Sequence, residues 1–171
     1  MPENQYIIGI TGHRRLPPGR VPAIAAEIQV FYRKEIARRG AENITVMSSL
    51  AEGADTLCAK LALNAGLRLA APLPMNAPEY HGNFTETAAA EFDFLLAAAD
   101  ETFTVPPEEA VPAHPSSGYY YRQAGIYVVK HCDILLAVWD GTERDTADGA
   151  GTWETVKLAR EMGRKICRVI I

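Results

Sequence analysis

Cysteine is scarce in this chain, with Cys58, Cys132 and Cys167 the only three in 171 residues. An odd, widely spaced set embedded in apolar segments excludes a disulfide framework and reads as buried thiols in a reducing compartment. His81, His114 and His131 lack any ligand-like spacing, so neither a metal site nor a cofactor is expected. Basic charge is not in excess either. A net charge of -4 leaves no broad basic surface of the kind that neutralises duplex nucleic acid. No apolar run approaches membrane-spanning length, and no basic stretch followed by an apolar one opens the chain. The expectation is a cytoplasmic protein with no membrane partner. Repeats and low-complexity segments are absent. The GxGxxG fingerprint is missing, and no acid follows the second strand where a ribose 2′-OH reader belongs, which disfavours an NAD-dependent dehydrogenase. No Ser-His-Asp order or nucleophile elbow is visible.

What is present is 48% hydrophobic residues, enough for one well-buried domain over residues 1–171. Short apolar runs alternate with helical periodicities. Strands are predicted at 6–10, 44–50, 68–75, 101–105, 134–139 and 166–171. Between them, Val21, Ile24, Ile28, Tyr32 and Ile36 share a helix face closed by Gly40, and Ala54, Cys58 and Leu61 mark a second helix with Asp55 as its N-cap. Ala88, Phe92, Leu95 and Ala99 mark a third. Tyr120, Ala124, Val128 and His131 mark a fourth that Gly125 weakens, and 152–162 is the last. Pro72 and Pro74 are expected to stop the third strand, with loops at 75–86 and 106–117. Regular alternation of this kind gives an α/β fold: a Rossmann-like, doubly wound, mainly parallel sheet of about six strands with helices on both faces.

Three glycine-bearing turns follow the first, second and fifth strands: Gly9-Ile10-Thr11-Gly12-His13-Arg14, Ser48-Ser49-Leu50-Ala51-Glu52-Gly53-Ala54-Asp55, and Gly149-Ala150-Gly151-Thr152. Parallel sheets bind ligands beyond the carboxyl ends of their strands, and small residues before a helix let an anion approach free N–H groups. One shared nucleotide-like ligand is the implied partner. In the first turn Arg14 is better suited than His13 to meet phosphate, since a guanidinium binds it bidentately. Glu52, Asp55, Asp140 and Glu154 are carboxylates near the same sheet edge that can take ribose hydroxyls or do acid/base work. Each of the last three also has a plain structural reading: helix N-cap, Asp-Gly turn, and first-turn acid. Tyr121 and Arg122 offer a stacking face and a cation, with Tyr119 and Tyr120 beside them and Tyr80 and Phe84 as further aromatic candidates.

Taken together, 8–14, 49–55, Pro72-Leu73-Pro74-Met75 and the long stretch 121–152 resemble the SLOG superfamily, which includes YpsA-like proteins, the DNA-processing protein DprA and the Lonely-guy phosphoribohydrolases. The resemblance covers nearly the whole chain. It implies a nucleotide or nucleotide-derived ligand, glycine turns at Gly12, Gly53 and 149–152, and a homo-oligomer, commonly a homodimer. The phosphoribohydrolases carry Pro-Gly-Gly-x-Gly-Thr-x-x-Glu. The position of its final acid is Thr155 here, and the adjacent Glu154 points about 100° away around a helix. The arginine motif of those enzymes has no counterpart unless Arg122 fills it. The expectation is therefore a YpsA-like binder acting as a sensor or accessory domain. The alternative is hydrolysis of a nucleoside monophosphate by Glu52, Glu154 or Asp140.

Overall fold

A computed structural model describes residues 5–171. Six strands, β1 (Tyr6–Gly12), β2 (Ile44–Met47), β3 (Arg68–Leu73), β4 (Glu101–Thr104), β5 (Ile134–Val138) and β6 (Lys165–Val169), form one sheet. Its order is β4-β3-β2-β1-β5-β6, and every pairing is parallel. Six helices connect them: α1 (Val21–Arg39), α2 (Ala54–Asn64), α3 (Ala77–His81), α4 (Glu86–Ala98), α5 (Ser117–His131) and α6 (Thr152–Glu161). The chain winds outward from β1 to β4, then returns to place β5 on the other side of β1. That reversal opens a crevice between the carboxyl ends of β1 and β5, the switch point where such sheets take ligands.

Side chains alternate across the sheet, so each strand feeds two cores. Ile8, Ile10, Leu136 and Val138 point into the larger one, with Ile24 and Ile28 of α1, Cys58 and Ala62 of α2, and Phe92 and Leu95 of α4. Leu135, Ala137 and Trp139 point into the other, against Val128 and Val129 of α5 and Val156 and Ala159 of α6. Gly125, read from sequence as a weakness in α5, is a packing feature. A Cβ there would stand 3.0 Å from Thr155 Oγ1 of α6.

Three local expectations change. The 75–86 segment contains α3, because Asn76 caps it by accepting the Glu79 N–H and a proline occupies its first turn. Pro72 lies within β3 and pairs with Phe103 of β4, although β3 is an interior strand. It is tolerated because the pairing of β2 with β3 ends at Met47 and Ala70, short of the proline. Asp55 is the second residue of α2, whose N-cap is Gly53. Its carboxylate instead interacts with the Ala51 and Ser49 backbones, Ser48 and Arg14.

Candidate functional site

The β1 and β2 turns interlock. Gly12 pairs with Val138 of β5, the His13 N–H donates to the Val138 carbonyl at 3.0 Å, and the His13 carbonyl accepts from Ala54 N–H at 3.1 Å. A Cβ on Gly12 would lie 2.4 Å from Ala54 Cβ, and one on Gly53 2.2 Å from the Arg14 carbonyl oxygen. Both glycines thus let two turns meet closely, and only Gly12 reaches the cleft beside them. That cleft has a volume of about 510 Å³, within the ordinary range for small-molecule sites. It is walled by the ends of β1 and β5, the start of α6 and parts of α2, α3 and α5.

At one end of the cleft α6 begins at Gly151 with no side-chain cap, which leaves the N–H groups of Thr152 and Trp153 without an intrahelical partner. The basic side chain beside them is His13. Its Nδ1 lies 3.4 Å from Thr152 Oγ1, and its Nε2 lies 3.3 Å from Asp140 Oδ1. Asp140 also accepts the Thr142 N–H, making the Asp-Gly turn foreseen from sequence. That N–H, followed by His13, holds the Asp140 carboxyl below its usual range. The segment 140–151 lies over this end, pinned where the Thr146 hydroxyl and N–H donate to Glu154 Oε1. Partial burial pushes the Glu154 carboxyl up, but these Thr146 donors and its own N–H outweigh it, and the net direction is down. Gly151 makes room for that clasp: a Cβ would meet Glu154 Oε2 at 2.5 Å.

Arg14 turns to the other end. Its guanidinium carbon sits 4.6 Å from the Tyr121 ring centre, a cation–π contact, and its charge acts on Asp55 and Tyr80. Burial pushes the Asp55 carboxyl up to about 7, although the Ala51 backbone, Arg14, Ser48 and Ser49 all favour its ionised form. Tyr80 is 1% exposed, and its hydroxyl has no hydrogen-bond partner.

The cleft thus gathers Gly12, His13, Arg14, Asp55, Tyr121, Asp140, Gly151, Thr152 and Glu154 of the sequence candidates. Others lie elsewhere. Glu52 is exposed outside the cleft. Arg122 makes a two-pronged pair with Glu109, at 3.0 and 2.9 Å, and donates to the Gly149 carbonyl, so it ties two loops together behind α6. Tyr119 and Tyr120 line a separate hollow with Gln123. His13 lies at the α6 end and Arg14 at the Tyr121 end, because the two side chains leave the turn after β1 in different directions. Sequence reasoning missed Trp139 and Trp153, which stack at 6.0 Å and both line the cleft. The signal was there, since Trp139 closes an apolar run and Trp153 directly follows the glycine turn that ends at Thr152.

No helix among the described residues is long and apolar enough to cross a membrane, and no group of His, Cys, Asp and Glu among them is arranged to hold a metal ion.

No protein-family model matches the chain, and a search of characterised proteins by sequence returns no match. Solved structures do match. DNA processing protein A (DprA) from Streptococcus pneumoniae aligns with a TM-score of 0.61 at 17% identity, over 96% of this chain and 50% of that one. The molybdenum cofactor binding protein from the phototrophic bacterium Rippkaea orientalis aligns at 0.59 and 15%, over 99% and 79%. The Moco carrier protein of Chlamydomonas rheinhardtii aligns at 0.52 and 17%, over 96% and 75%. The chain has the fold of these proteins. It spans half the length of the Streptococcus protein.

Proposed function

We propose that the chain binds a nucleotide or nucleotide-derived small molecule in this cleft, as a YpsA-like sensor or accessory domain of the SLOG superfamily. One observation carries the reading: a single cleft at the sheet's switch point combines an uncapped helix N-terminus at one end with a cation stacked on an aromatic ring at the other. The helix end suits a phosphate, through N–H groups and dipole, with Thr152 and His13 beside it. The aromatic end suits a base. Clefts of this kind are mostly preformed, so binding needs no rearrangement of the sheet.

Fluorescence of the chain's two tryptophans, Trp139 and Trp153, gives a direct readout, since both line the cleft. Thr152→Val keeps the side-chain volume and removes the hydroxyl. It is expected to weaken a nucleoside monophosphate by about 1.5–3 kcal/mol, the worth of a hydrogen bond to a charged group. The matching nucleoside should be unaffected. Equal losses for both would move the phosphate away from α6.

The hydrolytic alternative rests on Glu154, whose Oε2 is buried without a partner. Its other oxygen is committed to Thr146, and Thr155 instead back-bonds to the Gly151 carbonyl at 3.3 Å. A positioned acid or base is worth on the order of 10²-fold or more in rate, and position 155 supplies none. Incubation with AMP, GMP, CMP or UMP is therefore expected to release no ribose 5-phosphate. Turnover abolished by Glu154→Gln would establish the hydrolase instead, and a gain of turnover in Thr155→Glu would show a site lacking only its acid.

A further inference from the structure

The end of the cleft remote from α6 is built around two groups that binding of a phosphate leaves unused. Asp55 is 8% exposed, Tyr80 is 1% exposed, and both contribute to the cleft wall. The Tyr80 hydroxyl is unpartnered, a condition that buried polar groups rarely keep without a use. Arg14 lines the same cleft, and its charge acts on both groups. Flat surfaces flank them. Tyr80 and Tyr121 have ring centres 6.1 Å apart, and Arg14 covers the Tyr121 ring.

Resting on the nucleotide reading above, we infer that this end is a base-recognition subsite for the 2-amino-4-oxopyrimidine edge that guanine and pterins share. That edge presents a ring N–H and an amino group side by side, both donors, next to a carbonyl. Asp55 is the acceptor for the two donors, and the Tyr80 hydroxyl is the donor for the carbonyl. The ring plane lies against the Tyr121 and Arg14 pair. Adenine fits poorly, because its ring nitrogen would set a lone pair against the Asp55 carboxylate. Asp55 belongs to the α2 turn after β2, and α6 follows β5. With β1 between those strands, the two ends lie about 10 Å apart at the usual strand spacing, a span that a nucleoside 5′-phosphate bridges.

Tryptophan fluorescence titration of the intact chain at pH 8, where Asp55 is ionised, with GMP, dGMP, IMP, XMP, AMP and neopterin monophosphate tests the assignment. GMP is expected to bind at least tenfold more tightly than AMP and more tightly than IMP, which lacks the amino group, while dGMP matches GMP. Asp55→Asn is expected to invert the preference toward XMP. Asparagine offers one acceptor and one donor, the complement of xanthine's N–H and second carbonyl. Tyr80→Phe removes only a hydroxyl and is expected to weaken GMP about tenfold while sparing AMP, the loss of one hydrogen bond. It serves if the Asn variant does not fold. Tighter binding of neopterin monophosphate than of GMP names a pterin as the source of the edge, and the opposite order names a guanine nucleotide. AMP binding as well as GMP overturns the subsite, and if dGMP alone is then lost, Asp55 reads the sugar. If none of the six binds, the nucleotide reading itself falls.

Discussion

Gly53→Ala is expected to destabilise the protein by about 3–5 kcal/mol, the sum of a strained backbone and an overpacked contact. Gly53 has φ 94° and ψ -115°, a conformation that side chains rarely adopt. Its missing Cβ also makes room for the Arg14 carbonyl oxygen at 2.2 Å and the His13 carbonyl oxygen at 2.6 Å. Neither oxygen can retreat cheaply, because the His13 carbonyl is the acceptor for the first N–H of α2. The two turns that build the cleft would have to separate. Gly66→Ala is the control, since Gly66 has φ +74° but nothing within 4 Å of the point where a Cβ would stand. It should cost only about 1 kcal/mol, from backbone strain alone. Urea denaturation of the two variants checks both, and similar small losses would show that the turns are not locked together.

The second large effect concerns pH. The Asp55 carboxyl has its affinity for protons raised by burial, from 3.8 to about 7. The folded state therefore holds a proton that the unfolded state releases. Stability from this group is fully present below pH 4, declines as pH rises toward 7, and is level above it, with a total change of about 4 kcal/mol. Asp55→Asn cannot titrate, so the difference in unfolding free energy between variant and parent should grow in the variant's favour across that window. Melting curves at pH 4.5, 6 and 8 measure it. A constant difference would mean that Asp55 stays ionised in the fold, with its Ala51, Ser49 and Arg14 partners outweighing burial. A ligand that engages the carboxylate should recover part of the loss at pH 8, because binding only the folded state stabilises it.

Alternation of short apolar runs with helical periodicities was enough to specify a parallel sheet covered on both faces, because each pattern buries its apolar residues in only one way. The turns at Gly12, Gly53 and Gly151 were likewise legible, since glycine before a helix after a buried strand has few other uses. What they do was not. At Gly12 and Gly53 the missing Cβ makes room for the neighbouring turn, and at Gly151 for the clasp of Glu154 and Thr146, while the uncapped start of α6 still lines the cleft. The departure at Thr155 could be read from a resemblance in one line of sequence.

Other properties depend on contacts between residues far apart in the chain, and no local period encodes them. Arg14, Asp55, Tyr80 and Tyr121 come from four different elements, and only the packing of α2, α3 and α5 around the end of β1 brings them to one cleft. Arg122 follows Tyr121 directly, yet a helix turns consecutive residues by about 100°, so Glu109 and the Gly149 carbonyl claim it on another face. Asp55 begins as a helix-start acid in the sequence and becomes a buried carboxylate because Gly53 takes the cap position. Composition and periodicity decided the architecture and the edge of the sheet at which the cleft opens. Tertiary packing decided which side chains line that cleft, because direction and burial are set by neighbours that the local sequence does not contain.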